Sequence, residues 1–364
     1  MATATALPPS STSQAIPEKM RCLKKLAAAP GLELVEGVPV PKIGPTDCLI
    51  KVTHAGICGT DRHIYEWDAW AASRVPVGVT TGHEFVGRIV AVGAACKHRK
   101  VGDRVSGEGH IGCGRCPACR QGEGHICEHV DIIGIDRDGC FAEYLSIPEW
   151  NVWGVPDVIP DKVAAIFDPL GNAMHTVMAA GVSGQNVLVT GVGIIGLMAV
   201  SIARHAGAGK IFVTDMDPKR LAIAERLGAD QSFSAQDPKW VARVREATNG
   251  HGVDVLLEMS GNGRALSDGL DCLRNGGTAA LLGLAAKPVT IDLPNQVIFK
   301  GAKLLGINGR RMFETWYQVE KFLVAGRIEL DEILTHVLPM EEFHQGFKLM
   351  QSGEGIKIVL EIAR

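Results

Sequence analysis

Four cysteines lie within one short stretch, Cys113-x-x-Cys116-x-x-Cys119 followed by Cys127. Four thiolates on a tight loop can close a tetrahedral site around a Zn²⁺ ion. Sulfur donors select zinc or an iron–sulfur cluster over hard cations. A bacterial ferredoxin run would bring its fourth cysteine much sooner after the third; here Arg120 to Ile126 intervene. Gly112, Gly114, Gly122 and Gly124 loosen the loop so that it can wrap around one ion. With sulfur at every ligand position, such a site is structural and leaves no place for a substrate. The chemistry must lie elsewhere.

A second constellation offers that place. Cys58 lies in Gly56-Ile57-Cys58-Gly59-Thr60-Asp61, and His83 and Glu84 follow in Thr81-Gly82-His83-Glu84-Phe85. One thiolate, one imidazole and one carboxylate give three protein ligands with a fourth position open, the arrangement of a catalytic zinc. Spacing alone leaves a core cysteine and an ordinary Gly-His-Glu turn equally open. A third motif, Gly191-x-Gly193-x-x-Gly196, follows the apolar run Val187 to Thr190 and opens a helical pattern that includes Ile195. The first glycine permits a tight turn, the second lets backbone approach a pyrophosphate, and the third lets helix and strand pack closely. Asp215 ends the next apolar run, 24 residues after Gly191. Its carboxylate can accept the ribose hydroxyls of NAD and would repel the extra phosphate of NADP. Asp217, just before Pro218, could equally cap the helix that starts there. Arg220 is expected over the adenine side, where it softens the preference for NAD without reversing it.

These motifs need elements to hold them. The chain has 364 residues, enough for two domains. Up to about residue 155 short strand patterns such as Cys48 to Thr53 and Phe85 to Val92 alternate with Gly/Pro turns and predict an all-β module. From about residue 163 helix and strand patterns alternate: helices at Ile194 to His205, Pro218 to Leu227 and Trp240 to Thr248, strands at Ile211 to Thr214, Val253 to Glu258 and Thr278 to Leu282. That alternation predicts an α/β, doubly wound parallel sheet. After about residue 312 come helix, strand, helix and strand patterns, ending at Lys357 to Ile362. They could extend the parallel sheet or return to the first module.

The net charge of −3 with interspersed signs suggests neither a nucleic-acid nor a membrane partner. Val187 to Ala203 is too interrupted by glycine to span a bilayer. Of the ten cysteines, five are used in the two metal motifs, and Cys22, Cys48, Cys96, Cys140 and Cys272 are scattered without a framework, which points to a reducing, cytoplasmic compartment. Met1 to Glu18 is rich in Ala, Ser, Thr and Pro and lacks Lys, Arg and an apolar core, so residues 1–19 are read as a disordered extension rather than a signal or transit peptide.

A Gly-His-Glu segment, a downstream four-cysteine lobe and a glycine fingerprint, in that order, resemble the zinc-dependent medium-chain dehydrogenase/reductase superfamily of alcohol dehydrogenases over essentially the whole chain from Met20. The resemblance implies a Rossmann NAD domain (166–312) inserted into a GroES-like β-barrel catalytic domain (20–165 and 313–364). It also implies two zinc ions per subunit and a homotetramer. The segments Cys58 to Trp70, Gly107-Glu-Gly-His110, Phe167 to Thr176 and Gly309 to Tyr317 are similar to the branch that oxidises the C3 hydroxyl of L-threonine. A sorbitol or 2,3-butanediol dehydrogenase is the alternative.

By the same resemblance, Thr60 and His63 form a hydroxyl–imidazole proton relay. Imidazole titrates near pH ~6.5, which suits a terminal acceptor. Asp168 occupies a position where relatives carry a zinc ligand or near-ligand, and its short side chain places it in the outer shell. His110 is expected to line the substrate pocket. Leu282, Gly283, Leu284, Ile307 and Asn308 match backbone contacts near the nicotinamide, Asn308 replacing an expected aromatic residue.

Overall fold

A computed structural model describes residues 15–363. Val187, Leu188, Val189, Ile211, Phe212 and Val213 are fully buried. Such strands, apolar on both faces, must be covered by helices on both sides, which is the parallel-sheet condition. The six strands order as Gln231–Ser234, Lys210–Asp215, Asn186–Thr190, Val253–Glu258, Leu273–Leu281 and Lys303–Gly306. Every neighbouring pair is parallel. The order reverses between Asn186–Thr190 and Val253–Glu258, which opens a crevice at the carboxyl ends of the strands. This is a Rossmann sheet.

The second large sheet has seven strands, and Asp47–Ile57 is its spine. That strand pairs antiparallel with Glu84–Val92 on one side and Lys357–Glu361 on the other. Tyr144–Pro148 pairs with its first half. Leu334–Pro339 lies outside Lys357–Glu361 in parallel. The last strands therefore join the sheet of the first module and do not extend the parallel one. Val52, Ile57, Phe85, Ile89, Phe347, Ile358 and Leu360 fill the space between these strands.

The first module is not all-β. Helices occupy Gly59–Glu66 and Ala69–Arg74. The first is started by a capping box with a cysteine in the usual Ser/Thr place: Cys58 Sγ accepts the Thr60 amide at 3.2 Å, and Asp61 Oδ2 accepts the Cys58 amide at 3.0 Å. Asp68 caps the second helix through the Ala71 amide at 2.9 Å. Lys19 already belongs to the strand Lys19–Lys24, so the expected N-terminal extension stops short of it, and its first fourteen residues lie outside the described ones. Helix Phe167–Ala180 packs on the strands Val253–Glu258 and Leu273–Leu281 of the parallel sheet, with the Phe167 ring 5.7 Å from that of Trp316 on helix Glu314–Val324.

Leu360 has no exposed surface. Leu360→Ala is expected to destabilise the protein by about 2–5 kcal/mol, measured by urea unfolding with zinc held constant.

Candidate active site

Strand pairing builds the first metal candidate. Gly56 sits opposite Glu84 across the two central strands. A β-carbon at Gly56 would fall 2.2 Å from Glu84 Oε2, so the absent side chain makes room for the carboxylate. Gly82 turns the chain into that strand at φ +89, and a β-carbon there would strike the Phe141 ring at 2.5 Å. Cys58, pinned by its cap, meets His83: Sγ and Nε2 are 3.1 Å apart. One ligand atom each from Cys58, His83 and Glu84 lies within 4.8 Å of the others.

Burial sets the electrostatics of this set. It pushes the Cys58 thiol up, with Asp61 adding to the effect. It also pushes the Glu84 carboxyl up, against the pull of Lys357. Burial disfavours a charged His83, yet Cys58 and Asp61 overcome it and hold the imidazole well above its ordinary value. Without a cation the pocket thus favours a protonated set. A divalent ion reverses that logic by deprotonating its ligands. Lys357 Nζ lies 2.6 Å from Glu84 Oε2 and donates to the Ile57 carbonyl at 2.7 Å, with both side chains buried. His83 Nδ1 faces Asp61 Oδ1 at 3.9 Å, the position of an outer carboxylate behind a ligating histidine.

Asp168 is not among the gathered ligand atoms. Its Oδ2 pairs with Arg310 Nη1 at 2.6 Å. Arg310 is only 2 % exposed, and its guanidinium is fully engaged. Nε donates to Glu108 Oε2 at 2.9 Å, Nη2 meets Glu108 Oε1, and Nη2 meets His110 Nδ1 at 2.5 Å. Trp316 Nε1 adds a bond to Glu108 Oε2 at 2.9 Å. Burial raises the Glu108 pKa, but Arg310 outweighs it and holds the carboxyl well below the usual range. Sequence reasoning assigned His110 and Asp168 and missed Arg310 and Glu108, which join them. Both lay inside quoted segments, but only the fold shows that the arginine is buried and needs two carboxylates.

Thr60 and His63 share one short helix. His63 pairs with Asp68 rather than with Thr60, its Nδ1 lying 2.6 Å from Asp68 Oδ2.

The sulfurs of Cys113, Cys116, Cys119 and Cys127 form the second gathered set, also within 4.8 Å. Amides point at these sulfurs: Cys113 receives Cys116 N at 3.4 Å, and Cys127 receives Cys113 N and His129 N at 3.3 Å. The Arg115 and Cys116 amides bring Cys113 down to about 6. Cys119 is pushed up to about 12, first by loss of water and then by the neighbouring thiols. Cys116 is lowered, like Cys113, by the Cys119 and Glu128 amides. The lobe also braces the Arg310 segment. Arg311 Nη2 reaches Glu123 at 3.3 Å, and the His125 ring abuts His175, whose Nδ1 donates to the Gly309 carbonyl at 2.9 Å.

The dinucleotide crevice is formed at the sheet switch. Gly191 has φ +84, and a β-carbon there would lie 2.7 Å from Ser260. Gly193 caps helix Ile194–His205, Ile195 is half-buried, and Gly196 approaches the Gly191 carbonyl too closely for any side chain. Asp215 Oδ2 accepts the Val192 amide at 2.8 Å, so its carboxylate lies against the glycine turn. Arg220 Nη1 is 4.0 Å from the β-carbon position of Gly193. Asp217 caps its helix through the Lys219 amide at 2.8 Å. Across the crevice the Leu282 and Gly283 amides bond the Glu258 carbonyl, Leu284 is exposed, and Ile307 and Asn308 leave the edge strand after Ile307 N bonds Leu281 O.

Comparison with known proteins agrees with this geometry. A family model described as alcohol dehydrogenase GroES-like domain matches residues 44–157, and one described as zinc-binding dehydrogenase matches 195–325. The L-threonine 3-dehydrogenase of Symbiobacterium thermophilum is 49% identical over 346 residues, 94% of this chain and 98% of that protein. That of Chelativorans sp. is 48% identical over 342 residues, with the same coverage.

The chain belongs to the zinc-dependent medium-chain dehydrogenase family.

Among solved structures it is similar to alcohol dehydrogenase TADH from Thermus sp. ATN1, with TM-score 0.86 and 32% identity, covering 94% of this chain and 99% of that one. It is also similar to 2R,3R-butanediol dehydrogenase from Bacillus subtilis, with TM-score 0.85 and 27% identity at the same coverage. For a zinc-dependent dehydrogenase the donor sets fit: a closed sulfur cage, and a sulfur–nitrogen–oxygen set with a position to spare.

Lys357→Met leaves the Glu84 carboxylate buried without its counter-charge. In chelator the variant is expected to lose about 3–5 kcal/mol of stability. With zinc restored the loss shrinks, because the ion supplies the missing positive charge; thermal shift with and without chelator reads the difference.

Proposed function

We propose that this dehydrogenase oxidises L-threonine at C3 to 2-amino-3-oxobutanoate, with NAD as hydride acceptor. The chemistry rests on one observation, the sulfur, nitrogen and oxygen donors of Cys58, His83 and Glu84 drawn within 4.8 Å of one another. The substrate rests on the relatives, whose identity with this chain is far higher than that of the butanediol dehydrogenase. A polyol or diol dehydrogenase is therefore the weaker reading.

When bound, zinc supplies Lewis acidity to the alcohol oxygen and NAD takes up hydride. The protein's residues do the rest. Thr60 and His63 lead the hydroxyl proton to water, and the His63 side chain is 56% exposed at the outer end of that path. Asp168, held by Arg310, stays in the outer shell and sets the charge beside the pocket. His110, tied to the same arginine, lines it. Gly191, Gly193, Ile195 and Gly196 cradle the pyrophosphate. Asp215 and Arg220 receive the adenosine half, and Leu282, Gly283, Leu284, Ile307 and Asn308 the nicotinamide half. Cys113, Cys116, Cys119 and Cys127 hold a structural zinc, giving two zinc ions per chain.

The proposed domains are 20–165 with 313–364 for catalysis and 166–312 for the dinucleotide. The proposed assembly is a homotetramer: the strand Lys303–Gly306 is a sheet edge, and Leu293, Ile298 and Phe299, which precede it in the chain, are exposed. A cytoplasmic location fits ten cysteines that are all free of disulfides. Among the described residues no helix is long and apolar enough to cross a membrane.

Absorbance at the NADH band is expected to rise with L-threonine and NAD and to rise far more slowly with NADP. Cys58→Ser should abolish the signal while leaving the sulfur-cage zinc in metal analysis. Faster turnover of sorbitol or 2,3-butanediol than of L-threonine would overturn the substrate.

A further inference from the structure

Asp68 closes the segment His63-Ile-Tyr-Glu-Trp-Asp68, and the site so far described gives it no chemical role. Three of its contacts bear on His63 and the helix that follows. Its amide donates to the His63 carbonyl at 3.3 Å. Its Oδ1 accepts the Ala71 amide at 2.9 Å and so caps helix Ala69–Arg74. Its Oδ2 lies 2.6 Å from His63 Nδ1. Trp67, at φ 56, makes the left-handed turn that folds Asp68 back over the helix end. The carboxylate is thus fixed by its own cap before it touches the imidazole. The Ala71 amide, more than any other favourable contact, keeps it in the charged form. The Trp70 ring neighbours that of His63, 6.1 Å between centroids and at 65° to it. The nearby charges on the same helix, Arg62 and Glu66, satisfy each other at 2.7 Å.

A carboxylate offers acceptors only. Its contact with Nδ1 therefore requires the proton there, which leaves Nε2 of the neutral ring with a free lone pair. Thr60 and His63, three residues apart on one helix, present their side chains on one face. We propose that Asp68 is the positioning carboxylate of the proton path, completing a hydroxyl–imidazole–carboxylate chain of Thr60, His63 and Asp68. This rests on the relay reading of the proposed function. The proton of the substrate hydroxyl passes to Thr60 Oγ1 as the proton of Thr60 passes to His63 Nε2. The electron pair of the broken O–H bond stays on the substrate oxygen. His63 becomes an imidazolium with Asp68 opposite Nδ1–H, then releases the Nε2 proton to water. Asp68 stays ionised throughout.

Asp68→Asn separates the two duties of this side chain. Its oxygen still caps Ala71, which turns the amide NH₂ toward His63. The ring must then accept at Nδ1 and carry its proton on Nε2, the wrong tautomer for the path. Turnover with L-threonine and NAD is expected to fall about a hundredfold in kcat, with KM for both substrates within about twofold. The ¹⁵N spectrum of the His63 ring should show the tautomer reversed. Asp68→Ser, which caps but cannot reach the ring, should show a similar loss at an unchanged melting temperature. His63→Asn should slow turnover as much, and adding Asp68→Asn to it should cost nothing further. Full kcat in both Asp68 variants, with His63→Asn slow, would reduce Asp68 to a helix cap and overturn the proposal while the relay stands. Independent, multiplying losses would overturn it too. Full kcat in His63→Asn would remove the relay itself.

Discussion

A buried, cation-seeking cluster organises the catalytic half of the molecule. Cys58, His83 and Glu84 are drawn into a space where burial disfavours the charged thiolate and carboxylate. Such a pocket keeps its donors protonated unless positive charge enters it. The protein supplies one such charge itself, from Lys357, and leaves the ligand atoms converging on a point where a divalent ion fits. The long strand that ends at Ile57, the glycines at 56 and 82 and the cysteine cap of the following helix all serve that convergence. Each removes bulk or fixes a rotamer where the donors must meet.

Arg310 has a comparable role farther from the metal ligands. It neutralises Glu108 and Asp168 together and touches His110, so three side chains from two distant segments are oriented by one guanidinium. Because the guanidinium is planar and permanently charged, it holds both carboxylates at fixed angles, which a lysine would not do. The segment that carries it is in turn gripped by the four-cysteine lobe through Glu123 and His125. The lobe, which has no open ligand position, thereby contributes to the geometry of the pocket.

Much of this was legible in the chain. The glycine fingerprint, with its strand before and helix after, lies where periodicity put it, because both elements are apolar enough to have a single reading. The three donors could be named but not joined, since the pairing that sets Gly56 opposite Glu84 is a register, and register is not written in either strand alone. The helices at Gly59–Glu66 and Ala69–Arg74 were hidden for a local reason. Cys58 and Asp61 form a capping box in which sulfur replaces the usual hydroxyl, so the start signal was not recognised. Periodicity left the last two strands undecided because a short apolar strand fits either sheet, and only the family resemblance assigned them to the barrel; it is the antiparallel match of Ile358 to Ile57 that places them there. Lys357 and Arg310 were missed for a common cause: a basic residue reads as surface until the fold buries it.

The position of Lys357 also orders events during synthesis. The Rossmann sheet is contiguous in sequence and can close as soon as its six strands have emerged. The barrel cannot, because His54 to Ile57 at the end of its central strand lack their outer neighbour until Lys357–Glu361 is made. Until then that end of the edge is bare, Tyr144–Pro148 covering only Asp47 to Lys51, and Glu84 lacks the charge of Lys357. The end of the central strand next to Cys58 is thus closed only by residues made last. Folding of the catalytic half is in this sense completed by its last strand, which brings the missing edge and the missing charge together.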